Sequence, residues 1–373
     1  MLHLYQRYSL MTKANKKKIC IVASSLGKGG AEKSSALLSV MLSDLGYDVY
    51  IVTILEFVDY KYKGTLLNLG NIKLKDDTFL GRINRLRIFK KFLKTNKIDI
   101  IIDGRARTQA YREFVITKFI YKLPTVYVIH NYKTEKTFTA YKWLNKYLYK
   151  NEIMVAVSKA AEIKFRELYQ LKNISTIYNG FNFSDIKTKA SQDVEVNLGV
   201  YIIFYGRLDD EHKNLKLLFD AYKLSELSSN GVKLLVLGSG LDEERLKSYV
   251  QSIGLLDSII FRGFEKNPYP FVKKSLFMVL SSRYEGFPMV IPETLSLNVP
   301  VIAVDCKSGP NEVIVNKYNG LLVENHNPQV LATAMNSLSK DKDLYLQCKS
   351  NAQQSVTQFS SAKIAMQWQS ILK

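Results

Sequence analysis

The sequence predicts an α/β protein built from two doubly wound parallel sheets in tandem, and three observations carry that expectation. Short apolar runs alternate with amphipathic stretches along nearly the whole chain, the pattern of repeated βαβ units. The runs are rich in β-branched residues and lack alternation, as strands covered on both faces do. The chain has 373 residues, and domains ordinarily hold about 100–200, so two are expected.

The first strand is expected at Lys18–Ala23 (KICIVA), with a helical pattern over Ala31–Leu45 and a second strand at Asp48–Ile54 (DVYIVTI). Apolar residues recur at helical spacing over Leu80–Asn96, before a strand at Ile98–Asp103. The pattern continues as helix Thr108–Tyr121, strand Thr125–Ile129, helix Lys136–Tyr149, strand Ile153–Val157, helix Lys159–Leu168 and strand Ser175–Tyr178. Asp185–Asn197 is polar and reads as a linker.

A second series follows, with strands at Val200–Tyr205, Lys233–Leu237, Ser258–Phe261, Leu276–Leu280, Val299–Val304 and Gly320–Val323. Its helices are expected at Leu215–Glu226, Asp242–Ile253, Pro288–Leu297, Pro328–Ser339 and Lys342–Thr357, and Ser361–Leu372 ends the chain as a further helix. Ligands of such sheets bind at the carboxyl ends of the strands, so two sheets facing each other make a cleft.

Apolar residues at 47% and charged residues at 23% exclude wholesale disorder and collagen-like or fibrous chains. The three cysteines are an odd number, widely spaced and without a C-x-x-C, and only four histidines accompany them. Reduced, buried thiols in a cytosolic compartment are expected rather than a zinc site. No window of about 18 apolar residues offers a membrane-spanning helix. Met1–Lys18 lacks the apolar core and cleavage site of a signal peptide, Met11 offers an alternative start, and the segment is set outside the fold.

Charge is distributed unevenly. Residues 1–180 carry 32 Lys+Arg against 14 Asp+Glu, whereas 181–373 carry 21 against 20, out of a net +19. A basic first half meets something anionic, such as nucleic acid, an acidic membrane face or a phosphorylated lipid, or is simply a solvated basic surface.

Three motifs lie where strand ends run into helices. In Ser24–Glu32 (SSLGKGGAE), glycines let the backbone approach an anion and the helix N-terminus supplies free N–H groups, although neither the Walker loop nor the dinucleotide fingerprint is matched. A plain tight turn is the alternative. In Gly206–Asn214 (GRLDDEHKN), Arg207 and Lys213 offer a fork and a point charge for a diphosphate, or are ordinary surface charges. The third is Ser281–Glu293 (SSRYEGFPMVIPE) followed by Ser308–Glu312 (SGPNE). Glu285 is expected to end a strand and Glu293 to lie in the helix beginning near Pro288, about two turns on, so both carboxylates would look into the cleft. A carboxylate accepts two sugar hydroxyls at once. The bland alternatives are a helix cap for Glu285 and a solvated charge for Glu293.

From Ile19 to Leu372 the ordered set of motifs resembles the retaining glycosyltransferases of family 4. It comprises Gly29–Glu32, His130-Asn131, Val157–Lys159, Tyr178–Gly180, Gly206-Arg207 with Lys213-Asn214, and Gly238–Gly240. Phe261–Gly263, Glu285–Pro288 with Glu293, Pro300–Ala303 and Gly309–Glu312 complete it. The resemblance implies the GT-B fold: two Rossmann-like domains facing a central cleft, with the C-terminal helix crossing back to the N-terminal domain. An acceptor domain at 1–182, completed by 356–373, and a donor domain at 183–355 are implied.

It also implies transfer of a sugar, with retained configuration, from a nucleotide sugar to an acceptor. By position, Arg207 and Lys213 would hold the diphosphate and stabilise the leaving charge. Glu293 would bind the ribose, Glu285 the donor sugar, and His130 would sit near the transferred sugar. Gly29, Gly30 and Gly206 would approach the phosphates, Gly263 and Phe264 the base, and Gly286, Phe287, Pro288, Gly309 and Pro310 the sugar and diphosphate. Thr294 departs from the alanine usual there, which bears on packing.

Such enzymes work without metal or other cofactor beyond the co-substrate, here expected to be a UDP-hexose or UDP-N-acetylhexosamine. Asp341-Lys342-Asp343 is a literal D-x-D, but it opens a late amphipathic helix, where capping explains it better.

The basic half then suggests an anionic membrane carrying a lipid-linked glycan acceptor for surface polysaccharide, the protein being cytoplasmic and peripheral at the inner face. Phe79, Leu80, Ile83, Leu86, Phe89, Phe92 and Leu93 recur at helical spacing among basic residues, and Tyr141–Lys150 interleaves aromatics with lysines. The apolar stripes are expected to pack inward while the lysines face lipid. The rival readings are an epimerase or phosphorylase on the same fold and a basic nucleic-acid-binding protein, the latter without any recognised module.

Overall fold

A computed structural model of the chain describes residues 16–27, 29–194, 198–324 and 327–373. Lys28 of the first motif, the last three residues of the expected linker and nearly all of Met1–Lys18 lie outside the described residues. The chain divides into two compact units. One comprises the chain up to Val157 with Glu162–Gly180 and Ser361–Lys373, and the other Ser158–Ala161 with Phe181–Ser360. The chain thus changes unit at 180/181 and 360/361, where the sequence suggested 182/183 and 355/356.

The first unit holds a seven-stranded sheet: β1 (Lys18–Ala23), β2 (Asp48–Thr53), β3 (Thr65–Asn68), β4 (Ile100–Asp103), β5 (Thr125–Ile129), β6 (Ile153–Ala156) and β7 (Asn173–Thr176). Its order is β3-β2-β1-β4-β5-β6-β7 with every pair parallel. β1, β5 and β6 are almost wholly buried, which is why they read as apolar runs.

The edges are where the sequence reading failed. β3 (TLLN) was missed because one exposed and three half-buried residues leave little apolar signal, and so was the helix Leu69–Lys75 that Asn68 caps by accepting from Asn71 N. β7 lies two residues earlier than expected, since its register is set by pairing Ile153 with Asn173 rather than by its own hydrophobicity. The helix expected at Lys136–Tyr149 is confined to Lys142–Tyr149. Asn145 and Thr139 take each other's polar groups, Asn145 Nδ2 donating to Thr139 O at 2.8 Å and Thr139 Oγ1 to Asn145 Oδ1 at 2.9 Å, and so hold the chain before Tyr141 in a loop.

The terminal helix Ser361–Ile371 belongs to this first unit, where it lies on the helix Gly30–Asp44. A Cβ on Gly180 would come within 2.7 Å of Met41 Sδ and 3.2 Å of Ile364 Cβ, so the close seating needs a glycine there.

The second unit holds β8 (Tyr201–Tyr205), β9 (Lys233–Leu237), β10 (Ile259–Gly263), β11 (Met278–Leu280), β12 (Val301–Val304) and β13 (Gly320–Val323), ordered β10-β9-β8-β11-β12-β13 and again all parallel. In each sheet the order reverses beside its first strand, between β1 and β4 and between β8 and β11. A doubly wound sheet opens its binding crevice at such a point.

The expected linker is corrected: Phe183–Ala190 is a helix, capped by Asn182 and packed on the helix Tyr269–Lys274. Its polar residues face out, so it carried no signal beyond a pair from Lys189 to Asp185 at 2.6 Å. Asp341 of the D-x-D accepts from Leu344 N as the cap of Lys342–Ser355. All three cysteines are buried free thiols, and among the described residues no helix is long and apolar enough to cross a membrane.

Candidate functional site

In the second unit the motifs converge on the carboxyl ends of β8 and β11. Gly206 follows β8 with a φ of 158°, and a Cβ on the neighbouring Gly238 would stand 1.8 Å from Gly206 O, so the two strand ends pack as only glycine allows. Arg207 comes next and is exposed. A one-turn helix, Asp210–Lys213, is capped by Asp209 accepting from His212 N at 3.2 Å. Asn214 then takes the left-handed conformation, φ 53°, which breaks the helix just after Lys213 and starts Leu215–Leu224.

Lys213 Nζ donates to Glu285 Oε1 at 2.6 Å. Ser282 Oγ donates to the same oxygen at 2.7 Å, and His212 Nε2 lies 3.7 Å from Oε2. Burial pushes the Glu285 carboxyl up, but Lys213 and His212 outweigh it and hold it well below the usual range, so it is an anion at neutral pH. The His212 ring stacks on Tyr284 at 4.5 Å, with Nε2 at 2.8 Å from Tyr284 O.

Glu285 does not end a strand as expected. β11 stops at Leu280, because Ser281 Oγ donates to Lys213 O and the loop turns back toward Lys307. Nor is Glu285 a helix cap, since the next helix runs only from Val290 to Leu295 and follows Met289.

Glu293 is 2% exposed, which removes the reading of a solvated helix charge. Tyr205 Oη lies 3.4 Å from its Oε2, donates to Val290 O at 2.9 Å and lies 3.0 Å from Thr294 Oγ1. Burial and the Glu293 charge push the Tyr205 hydroxyl well up, keeping it a neutral donor. Thr294 therefore has a polar role beyond packing. Tyr205, His212 and Ser282 were missed by sequence reasoning; the only available signal was their place beside glycine-bearing strand ends.

Gly309, φ 101°, sits with a hypothetical Cβ 2.4 Å from Pro288 Cδ, which brings the loops 285–288 and 308–312 together. Ser308 Oγ donates to Gly286 O at 2.9 Å and lies 2.7 Å from Ser158 Oγ. Glu312 accepts from Lys159 N and Ala160 N at 2.7 and 3.1 Å, and Pro310 opens the short 3-10 turn that aims it. The expectation for Phe287 is corrected in part: its ring packs on Phe359 at 5.3 Å and Phe181 at 6.4 Å, an apolar anchor. Gly263 ends β10 with φ 79°, and Phe264 beyond it is 64% exposed.

In the first unit, Gly29 is the extended N-cap of Gly30–Asp44 and makes no side-chain cap. His130 follows β5 and, with Ser34, Ser35, Gly104 and Asn179, lines a small cavity at the strand ends. Burial, then the Arg107 guanidinium, hold its imidazole down to about 4, against a smaller pull from Asp103. Of the second-unit residues named from sequence, Lys213 and Glu285 meet directly, whereas Glu293 bonds with Tyr205 and Gly263 and Phe264 lie at the end of the edge strand β10; His130 lies in the first unit with Gly29 and Gly30.

Comparison with known proteins places the chain in a family. The profile of glycosyl transferases group 1 matches residues 187–355, and that of Glycosyltransferase Family 4 matches 28–185. The chain is 26% identical, over 93% of its length and 97% of the relative's, to the N-acetylgalactosamine-N,N'-diacetylbacillosaminyl-diphospho-undecaprenol 4-alpha-N-acetylgalactosaminyltransferase of Campylobacter jejuni. It is 27% identical, over 68% of each chain, to the lipopolysaccharide 1,6-galactosyltransferase of Salmonella typhimurium. The crystal structure of Anabaena Alr3699/HepE in complex with UDP and glucose superposes with a TM-score of 0.75 at 19% identity, covering 95% of this chain and 99% of that one. With both profiles matched in order and this fold in common, the chain belongs to the family 4 glycosyltransferases of the GT-B fold.

Proposed function

We propose that this glycosyltransferase moves a hexose or N-acetylhexosamine from a UDP-sugar, with retention, to a lipid-linked glycan in the synthesis of a bacterial surface polysaccharide. The observation that carries the donor assignment is the pairing of half-buried Lys213 with buried Glu285 at the switch point of the second sheet. Lys213 and Arg207 supply positive charge for the diphosphate and for the negative charge that grows on it as the sugar leaves. That leaves the reaction with no need of a metal or other cofactor.

Glu285, held ionised, accepts hydroxyls of the donor sugar, and Glu293 accepts those of the ribose. The departing phosphate oxygen takes the acceptor proton on the same face of the sugar. The UDP in the superposable Anabaena complex and the diphospho-undecaprenol in the name of the Campylobacter relative support the donor and acceptor classes. The lipid-linked acceptor also gives the basic half a partner, an anionic membrane surface at the inner face.

The test is a thermal-shift panel with UDP, GDP, ADP and UDP-sugars on the wild type, Lys213→Ala and Glu293→Ala. A ligand at a hundred times its Kd adds about 2.7 kcal/mol to the native state. A shift with UDP species alone, lost in both variants, is expected; no shift with any nucleotide overturns the donor site.

A further inference from the structure

The donor chemistry leaves unused an exposed face of the first unit. Helix Ala110–Val115 continues as a π-helix, Ile116–Ile120. Residues five apart diverge by about 140° on an α-helix, whereas a π turn, with its i→i+5 bonds, brings them toward one side. Phe114 and Phe119 are such a pair. Their ring centroids stand 6.2 Å apart and the residues are 38% and 54% exposed, while Ile116 and Ile120 stay buried.

Lys122 Nζ lies 6.0 Å from the Phe119 ring, and Lys118 Nζ lies 4.6 Å from the ring of Tyr147 on helix Lys142–Tyr149. That helix turns Leu144, Leu148 and Tyr149 inward and leaves Trp143 69% and Tyr147 62% exposed, with Lys142 and Lys146 beside them. Residues 110–150 carry eight Lys+Arg against two Asp+Glu, and one of those two, Glu113, is buried against Arg105.

We infer that this face, formed by Phe114, Phe119, Trp143 and Tyr147 with Lys118, Lys122, Lys142 and Lys146, is where the protein seats itself on an anionic lipid bilayer. Aromatic rings with an apolar body suit the headgroup level, and lysine stems lie along them while the ammonium groups reach anionic headgroups. The stripe of Phe79–Thr95 singled out in the sequence serves packing instead at its C-terminal end, with Phe89 2% and Leu93 4% exposed. The inference rests on the reading of a lipid-linked acceptor.

The experiment uses the full chain with vesicles of phosphatidylglycerol and phosphatidylcholine, or of phosphatidylcholine alone. Wild type is expected to cosediment with the anionic vesicles only. Phe119→Ser with Trp143→Ser, and separately Lys118→Gln with Lys122→Gln and Lys146→Gln, should weaken that binding at least tenfold with melting temperature and UDP-induced shift unchanged. Trp143 fluorescence should be quenched by brominated lipid, the buried Trp368 serving as the internal reference.

Equal vesicle binding by wild type and variants would overturn the assignment of this face. Wild type that binds no vesicle yet shifts with UDP would overturn the lipid partner while leaving the donor reading intact. Self-association lost in the variants would make the face a contact between copies.

Discussion

Each unit buries an ion cluster at the carboxyl end of its central strands, and the two are finished differently. In the first, Asp103 at the end of β4 takes Arg105 through Nε to Oδ1 at 2.9 Å and Nη2 to Oδ2 at 2.7 Å. Glu113 takes Arg105 at 3.2 Å and Arg112 at 2.9 Å. The side chains of Asp103, Arg105 and Glu113 are at most 4% exposed. In the second, the Lys213 side chain is 15% and that of His212 22% exposed around a Glu285 that is 8% exposed.

A planar guanidinium fork satisfies two carboxylates and closes the cluster. An ammonium with one bond to Glu285 has two further donors at an accessible edge. The carboxylates are buried in both clusters, so the openness of the cation is what separates scaffold from site.

The contrast is open to direct attack. Arg105→Ala leaves two carboxylates buried together and should cost about 3–5 kcal/mol in urea unfolding, with the UDP shift retained by the folded fraction. Lys213→Ala should lower kcat/KM by about 10²–10³-fold while costing much less stability. Were Lys213→Ala to cost as much as Arg105→Ala and leave transfer intact, the distinction would be wrong.

Glu293→Gln should raise KM for the nucleotide sugar about tenfold, the scale of one charge-assisted hydrogen bond, with kcat less affected. Tyr205→Phe should reproduce part of that rise if the hydroxyl orients the carboxylate.

A further test lies in the pH dependence of stability. His130 binds its proton at about 4 in the folded chain and at 6.5 when unfolded. Between those values the unfolded state holds more protons, so stability falls as pH drops from 6.5 toward 4. His130→Gln should flatten that part of a Tm-against-pH curve; an unchanged slope would show that His130 is not the group responsible.

How far these features were legible depended on where they sit. Central strands such as Ile19–Ala23 and Tyr201–Tyr205, buried on both faces, announce themselves by composition alone. Thr65–Asn68 and Phe183–Ala190 are edge and surface elements whose packing comes from distant partners, and a local reading passed them over. Lys213, Glu285 and Glu293 were found from motif spacing. That Lys213 and Glu285 touch, 72 residues apart, was not, and Tyr205 drew no notice because a tyrosine in an apolar strand looks like core.

By itself the sequence determined the α/β class, two sheets, an electrically lopsided chain and the glycines at strand ends, since each of these is written in local pattern and composition. Only the tertiary structure decided which charges meet. The Lys213–Glu285 pair forms where strand order brings two distant loops together. The same holds for the outward turn of Phe114 and Phe119, which depends on a π-helical backbone that residue type does not specify. Burial, and with it the ionisation of Glu285 and His130, is a property of those neighbours and not of the residues themselves.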